Sequence, residues 1–232
     1  MAQVLKIPEL EAAQGLVHGF STLALGSVGM THAPDPARVM ESRRDFARAL
    51  GLDRLTTMGA VHGASVARVD EAQDLVDDVD ALVTDQLGVA LFATFADCYP
   101  IVLWDPKRHC VAIAHAGWRG TLAGVGPAAV RAMHDEYGSD PRTIVAGIGP
   151  GICGRCYEVG EEVASQFGSK FVRDGPGDRF LLDLTAANRA QLAEAGIRDI
   201  HALDLCTKET AFLPSHRRSP DGTRFGAIVA LQ

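Results

Sequence analysis

Three short segments place polar, metal-competent residues beside apolar runs: Ala60-Val61-His62-Gly63, Ala96-Asp97-Cys98-Tyr99-Pro100 and His115-Ala116-Gly117-Trp118-Arg119-Gly120. Imidazole nitrogen and thiolate sulfur are preferred zinc ligands, and three protein ligands leave a fourth position for water. The spacing is long-range, so no local zinc-ribbon pattern supports the set. The same residues also suit a half-buried strand-end histidine and a small packing cysteine. Asp97 can orient a ligand histidine or cap a nearby backbone. Arg119, at a helix start just after His115, can pair with phosphate or cover the end of a sheet. Cys153-Gly154-Arg155-Cys156 has the spacing of a redox motif but lies in a Gly-rich turn after Gly149-Pro150-Gly151. A thioredoxin-like unit would instead set the first cysteine at a helix start after a strand. The turn is therefore read as flexible, its thiols without a partner. His18, His109, His134 and His201 have no motif around them and read as surface or structural.

The elements that must position these residues are short strands with helices between them. Val17–Ser21, Ala81–Thr84, Val89–Phe95, Ile101–Trp104, Cys110–His115, Thr143–Ile148, Ile200–Leu205 and Phe225–Leu231 are rich in Val, Ile, Leu and Phe and end at turn formers. Several are apolar throughout, which suits strands covered on both faces. Leu122, Val125, Ala129, Met133 and Tyr137 make one apolar helical stripe, with Gly138 as its stop. Asp35-Pro36 opens another helix as cap and first residue. The expected class is α/β or α+β with mixed sheets, in one domain over residues 1–232.

Of the 232 residues 47% are hydrophobic and 22% charged, which excludes disordered, collagenous and coiled-coil chains. A net charge of −7 gives no basic footprint for nucleic acid. The longest apolar stretch, Gly88 to Ala96, is far short of the roughly 20 residues of a membrane span. No secretory signal opens the chain, and five cysteines are an odd number, so free thiols and a cytoplasmic location are expected. The oligomeric state stays open, with a monomer as the working expectation.

The segments ADCYPIVL, AHAGWRGT, GIGPGICGRCYEVGEEV and DLCT, in that order, resemble the YfiH/PgeF family, the laccase-domain or polyphenol oxidase-type group also described as purine nucleoside phosphorylases. HGFST at 18–22, VHG at 61–63, DLTAANRAQLAEAG at 183–196 and SHRR at 215–218 extend the likeness through nearly the whole chain. The resemblance implies a four-layer α/β/β/α sandwich and a zinc ion held by His62, Cys98 and His115, with copper as the alternative metal. It implies phosphorolysis of adenosine, inosine and methylthioadenosine, and deamination of adenosine. Arg43, Asp97, Arg119 and Arg217 become candidate substrate or phosphate contacts. The family's older activity is copper-dependent phenol oxidation, and its bacterial branch carries a role in editing peptidoglycan precursors. That role would suit a Cys–His hydrolase with Cys98 as nucleophile and His115 as base. A trinuclear copper cluster would need many more imidazoles, and the chain has eight histidines and no His-x-His pair. The sequence departs from the family pattern at Ala60 (usually Gln), Leu23-Ala24-Leu25-Gly26 (usually Gly- and Arg-rich), Ser42 (usually Asn) and His216 (usually Tyr). These departures bear on substrate choice and leave the three ligands intact.

Overall fold

The computed structural model describes residues 3–31 and 33–232. Two six-stranded mixed sheets face each other. Sheet I runs, in spatial order, Val4–Leu5, Leu16–Ser21, Phe225–Leu231, Ala90–Phe95, Leu55–Gly59 and Leu75–Asp77. Sheet II runs Asp199–Ala202, Val145–Ile148, Tyr99–Asp105, Cys110–Ala116, Ala81–Thr84 and Val66–Arg68. A small sheet of Glu158–Val159, Phe180–Leu182 and Val172–Asp174 completes the set.

The period of two along each strand builds the layers. In Cys110–Ala116, the even residues Cys110, Ala112, Ala114 and Ala116 pack toward the helices. Val111 and Ile113 face sheet I, where they meet Leu91, Ala93, Phe95, Phe225 and Val229. On its far side sheet II is covered by helices Val125–Tyr137 and Leu184–Glu194. The far side of sheet I packs Phe92, Ile228 and Ala230 against Phe46 of helix Pro36–Ala49. The result is a four-layer α/β/β/α sandwich. Strands covered on both faces explain the apolar runs in the sequence.

Asp35 caps helix Pro36–Ala49 by accepting the Arg38 N–H at 3.1 Å. Gly138 ends helix Val125–Tyr137 in the left-handed conformation, donating its N–H to the His134 carbonyl. The apolar stripe expected from Leu122 to Tyr137 is two helices, not one. Gly124, at φ 75°, closes Trp118–Ala123 and opens Val125–Tyr137, so Leu122 belongs to the earlier helix. Strands Leu55–Gly59, Val66–Arg68 and Leu75–Asp77 lie outside the expected set. Val66–Arg68 and Leu75–Asp77 are edge strands and Leu55–Gly59 lies one strand in, and all three carry few large apolar residues. Among the described residues no helix is long and apolar enough to cross a membrane.

Candidate active site

Odd residues of Cys110–Ala116 face sheet I, so His115 stands on the inter-sheet face at the strand end. Its ring packs edge-on to Phe95 with centroids 4.9 Å apart. The register pairs Pro100 with His115, which sets Cys98 opposite the turn that follows the strand. Gly117 makes this approach possible: a Cβ there would lie 2.7 Å from the Cys98 sulfur. Gly120 is equally constrained, since its Cβ would meet the His115 carbonyl oxygen at 2.9 Å. The glycines of HAGWRG are therefore demanded by close packing, Gly117 on the Cys98 thiol and Gly120 on the His115 carbonyl.

His62 arrives from the turn after Leu55–Gly59, with φ at 66°. Asp80 holds that turn. Its carboxylate accepts the His62 N–H at 2.6 Å and the Gly63 N–H at 2.7 Å, while its own carbonyl accepts the His115 N–H at 2.8 Å. Asp80 is fully buried, so one residue fixes the backbone of both histidines. Asp97, at φ 81°, does the same for Cys98. Its carboxylate accepts the Thr207 hydroxyl at 2.6 Å and the Arg217 N–H at 2.7 Å, and its carbonyl accepts the Ile152 N–H at 2.9 Å. Left-handed backbone at two non-glycine residues is strain held by these bonds. Of the two roles open to Asp97 from the sequence, it takes the backbone one. Neither imidazole is its partner.

The ligand atoms of His62, Cys98 and His115 all lie within 4.8 Å of one another. His62 is exposed, Cys98 half-buried and His115 buried. Both ring nitrogens of His115 are buried without a hydrogen-bond partner. An orphaned buried imidazole is costly unless something else satisfies it. Burial, the neighbouring His62 and then Arg224 hold its pKa down at about 3, so it stays neutral, the form that binds metals. Burial, with Asp97 and Asp80 adding, pushes the Cys98 thiol up to about 12. A cation is what would favour the thiolate there. Two imidazoles, one thiol and an unsatisfied nitrogen make a donor set that fits a metal ion.

The cluster opens into a cavity of about 1190 Å³. Arg43, Arg119 and Arg217 all line it, as do Arg224, Tyr157 and His216. Arg43 donates to the Val28 carbonyl at 2.8 Å and lies over Phe92; burial lowers its pKa. Arg119 lies over Trp118, with 4.2 Å to the ring centroid. Arg217 lies over Tyr157 and donates to the Glu158 carbonyl. Sequence reasoning missed Asp80 and Arg224. Neither stands in a motif, and each reaches the cluster only through strand pairing. It also left Cys153 and Cys156 without partners, whereas the fold sets Cys206 and Glu209 beside them. His18 is buried and accepts the Ile7 N–H at 2.9 Å, a satisfied structural histidine.

The family model described as multi-copper polyphenol oxidoreductase laccase matches residues 17–232. A purine nucleoside phosphorylase of Streptomyces coelicolor is 42% identical over 214 residues, covering 89% of this chain and 86% of the relative. An adenosine deaminase from an unknown prokaryotic organism is 39% identical over 181 residues, covering 70% of this chain and 69% of the relative. The crystal structure of YlmD from Geobacillus stearothermophilus matches with a TM-score of 0.90 at 31% identity, covering 100% of this chain and 97% of that one. A match over residues 17–232, the likeness to these relatives and a shared four-layer fold lead to one conclusion: the chain belongs to the multi-copper polyphenol oxidoreductase laccase family, the laccase-domain group of YfiH-type proteins.

Proposed function

We propose that the chain is a zinc-dependent purine nucleoside enzyme. It cleaves adenosine, inosine and methylthioadenosine with phosphate, giving the base and ribose 1-phosphate or its methylthio form, and it deaminates adenosine to inosine. The observation that carries the proposal is a two-histidine, one-cysteine donor set with an orphaned imidazole, opening into a cavity lined by Arg43, Arg119, Arg217 and Arg224. The names of the relatives supply the nucleoside class.

His62, Cys98 and His115 would hold the zinc, which would supply Lewis acidity to the reaction. The chain's own residues do the rest. The guanidinium groups give charge-assisted donors for phosphate, and Arg224 is the one whose field reaches both Cys98 and His115. Trp118 and Tyr157 offer aromatic faces in the same cavity for a purine ring. Both carboxylate oxygens of Asp97 are engaged by the protein, so we assign Asp97 to holding the Cys98 turn rather than to substrate. Asp80 is the corresponding positioning residue for the two histidines.

The Cys–His hydrolase reading has the nearness of Cys98 to His115 in its favour and the state of the thiol against it. An attacking cysteine needs a lowered pKa, and burial raises that of Cys98. Multi-copper chemistry needs further imidazole clusters. Among the described residues only the His62, Cys98 and His115 group brings two histidines together with a third donor.

The test combines metal analysis with a nucleoside screen, with and without phosphate, reading products by mass. Adenosine with phosphate is expected to yield adenine and ribose 1-phosphate, with inosine from the deamination. Absence of product above a metal-free control, across adenosine, inosine and methylthioadenosine, overturns the proposal.

A further inference from the structure

Outside the cavity that opens on His115, three of the five cysteines meet. Ligand atoms of Cys153, Cys156, Cys206 and Glu209 all lie within 4.8 Å of one another. They come from two tight turns, each closed by an i to i+4 backbone bond. In the first, the Tyr157 N–H returns to the Cys153 carbonyl at 3.0 Å; in the second, the Thr210 N–H returns to the Cys206 carbonyl at 2.9 Å. The turns are zipped together by the parallel bridge between Gly151 and Cys206, with the Thr207 N–H on the Gly151 carbonyl at 3.0 Å. A C-x-x-C turn thus faces a C-x-x-E turn. Two opposed turns of this spacing are how zinc ribbons present four ligands, here with a carboxylate in one place.

We propose that Cys153, Cys156, Cys206 and Glu209 form a second zinc site, structural rather than catalytic. Zinc–sulfur bonds of about 2.3 Å in a tetrahedron put sulfurs about 3.8 Å apart, so movements of about 1 Å bring these donors onto one ion. A backbone N–H is already aimed at the sulfur: that of Cys153 reaches Cys206 Sγ at 3.4 Å. Glu209 turns Oε1 toward Cys156 Sγ at 3.3 Å, while Arg155 holds its other oxygen at 3.0 Å. Arg155 also offsets part of the negative charge that three thiolates and a carboxylate bring to a divalent ion. Binding releases the thiol protons to solvent, and half-buried Cys153 and Cys156 with exposed Glu209 leave the ion a way in. The site would clamp the two segments that hold Asp97, since Ile152 bonds its carbonyl and Thr207 its carboxylate. This inference stands independently of the reaction proposed for the first cluster.

The test is zinc content of the whole chain, purified anaerobically with reductant from zinc-supplied cells. Wild type is expected to carry one equivalent more than the Cys156→Ser/Cys206→Ser variant, which keeps the equivalent bound through His62, Cys98 and His115. With cobalt in place of zinc, Cys98→Ala is expected to keep strong thiolate-to-metal absorption from three sulfurs, and the double variant to lose most of it. Should the double variant fail to fold, Glu209→Gln at the exposed ligand is expected to weaken the additional equivalent about tenfold against a competing chelator. Equal zinc in wild type and double variant overturns the proposal. So does a disulfide among these three cysteines in the anaerobic protein. A Glu209→Gln chain that binds the additional equivalent as tightly as wild type overturns the four-ligand assignment.

Discussion

The two thiol-bearing clusters, each proposed to hold zinc, differ in the number of donors and in what surrounds them. His62, Cys98 and His115 supply three donors, one from a turn off sheet I and two from paired strand ends of sheet II, facing a cavity of about 1190 Å³. Cys153, Cys156, Cys206 and Glu209 supply four donors from two turns zipped to each other. Three ligands leave room for chemistry; four close the ion off. Asp97 joins the two regions, because both loops of the second cluster bond to the residue that precedes Cys98. On the roles proposed for them, ligand number and openness would separate the two sites more clearly than ligand type, since both carry thiols.

The strongest way to break this comparison is to remove His115 or Cys98. His115→Ala and Cys98→Ala are expected to lower nucleoside turnover on the order of 10²–10³-fold, the scale of losing one electrostatic stabiliser of a transition state. Steady-state kinetics check this. Loss of turnover that leaves the zinc of the first cluster in place would contradict its assignment as a ligand set.

Asp80→Asn sharpens the comparison next. The two carboxylate oxygens accept one backbone N–H each, from His62 and Gly63, and the amide keeps the shape but loses the charge and one of the two acceptors. Zinc affinity of the first cluster is expected to fall about 10–100-fold, as for other partners that orient metal ligands. Chelator competition measures it, and the second cluster should be unaffected.

His18 is the control for His115: both are buried, but only His18 has its hydrogen bond. Burial, then Lys6, lower the His18 pKa to about 4 from the ordinary 6.5. The folded state therefore prefers neutral His18. Its contribution is complete above about pH 6.5 and is lost as pH falls through 4, on the order of 3 kcal/mol. Denaturant midpoints across this range are expected to fall more steeply in wild type than in His18→Gln. Parallel slopes would remove His18 from the acid response.

The smallest effect is expected at Arg224. Arg224→Lys keeps the charge and loses the planar fork, so KM for phosphate should rise about tenfold, with little change in the KM for nucleoside. An unchanged phosphate KM would move the anion contact to Arg43, Arg119 or Arg217.

Much of this was legible in the chain. Apolar runs such as Cys110–His115 and Phe225–Leu231 are strands, because burial on both faces leaves no polar side to confuse the period. Strand Leu55–Gly59 was not legible: Leu-Thr-Thr-Met-Gly carries too little apolar patterning, and its place beside Ala90–Phe95 decides its conformation. Gly124 divides a stripe that reads as one helix, because its left-handed backbone redirects the chain.

By itself the sequence determined the residue types of the first donor set, the glycines beside them and the double-sided strands, since all are local properties of short segments. Only the tertiary structure decided that Asp80 fixes both histidines, that Arg224 joins the cavity and that Cys206 with Glu209 faces the C-x-x-C turn. Cys206 lies fifty residues from Cys156 along the chain, and Arg224 is farther still from Cys98. Sheet register brings such residues together, and register is settled by burying two sheets against each other, not by any local run of residues.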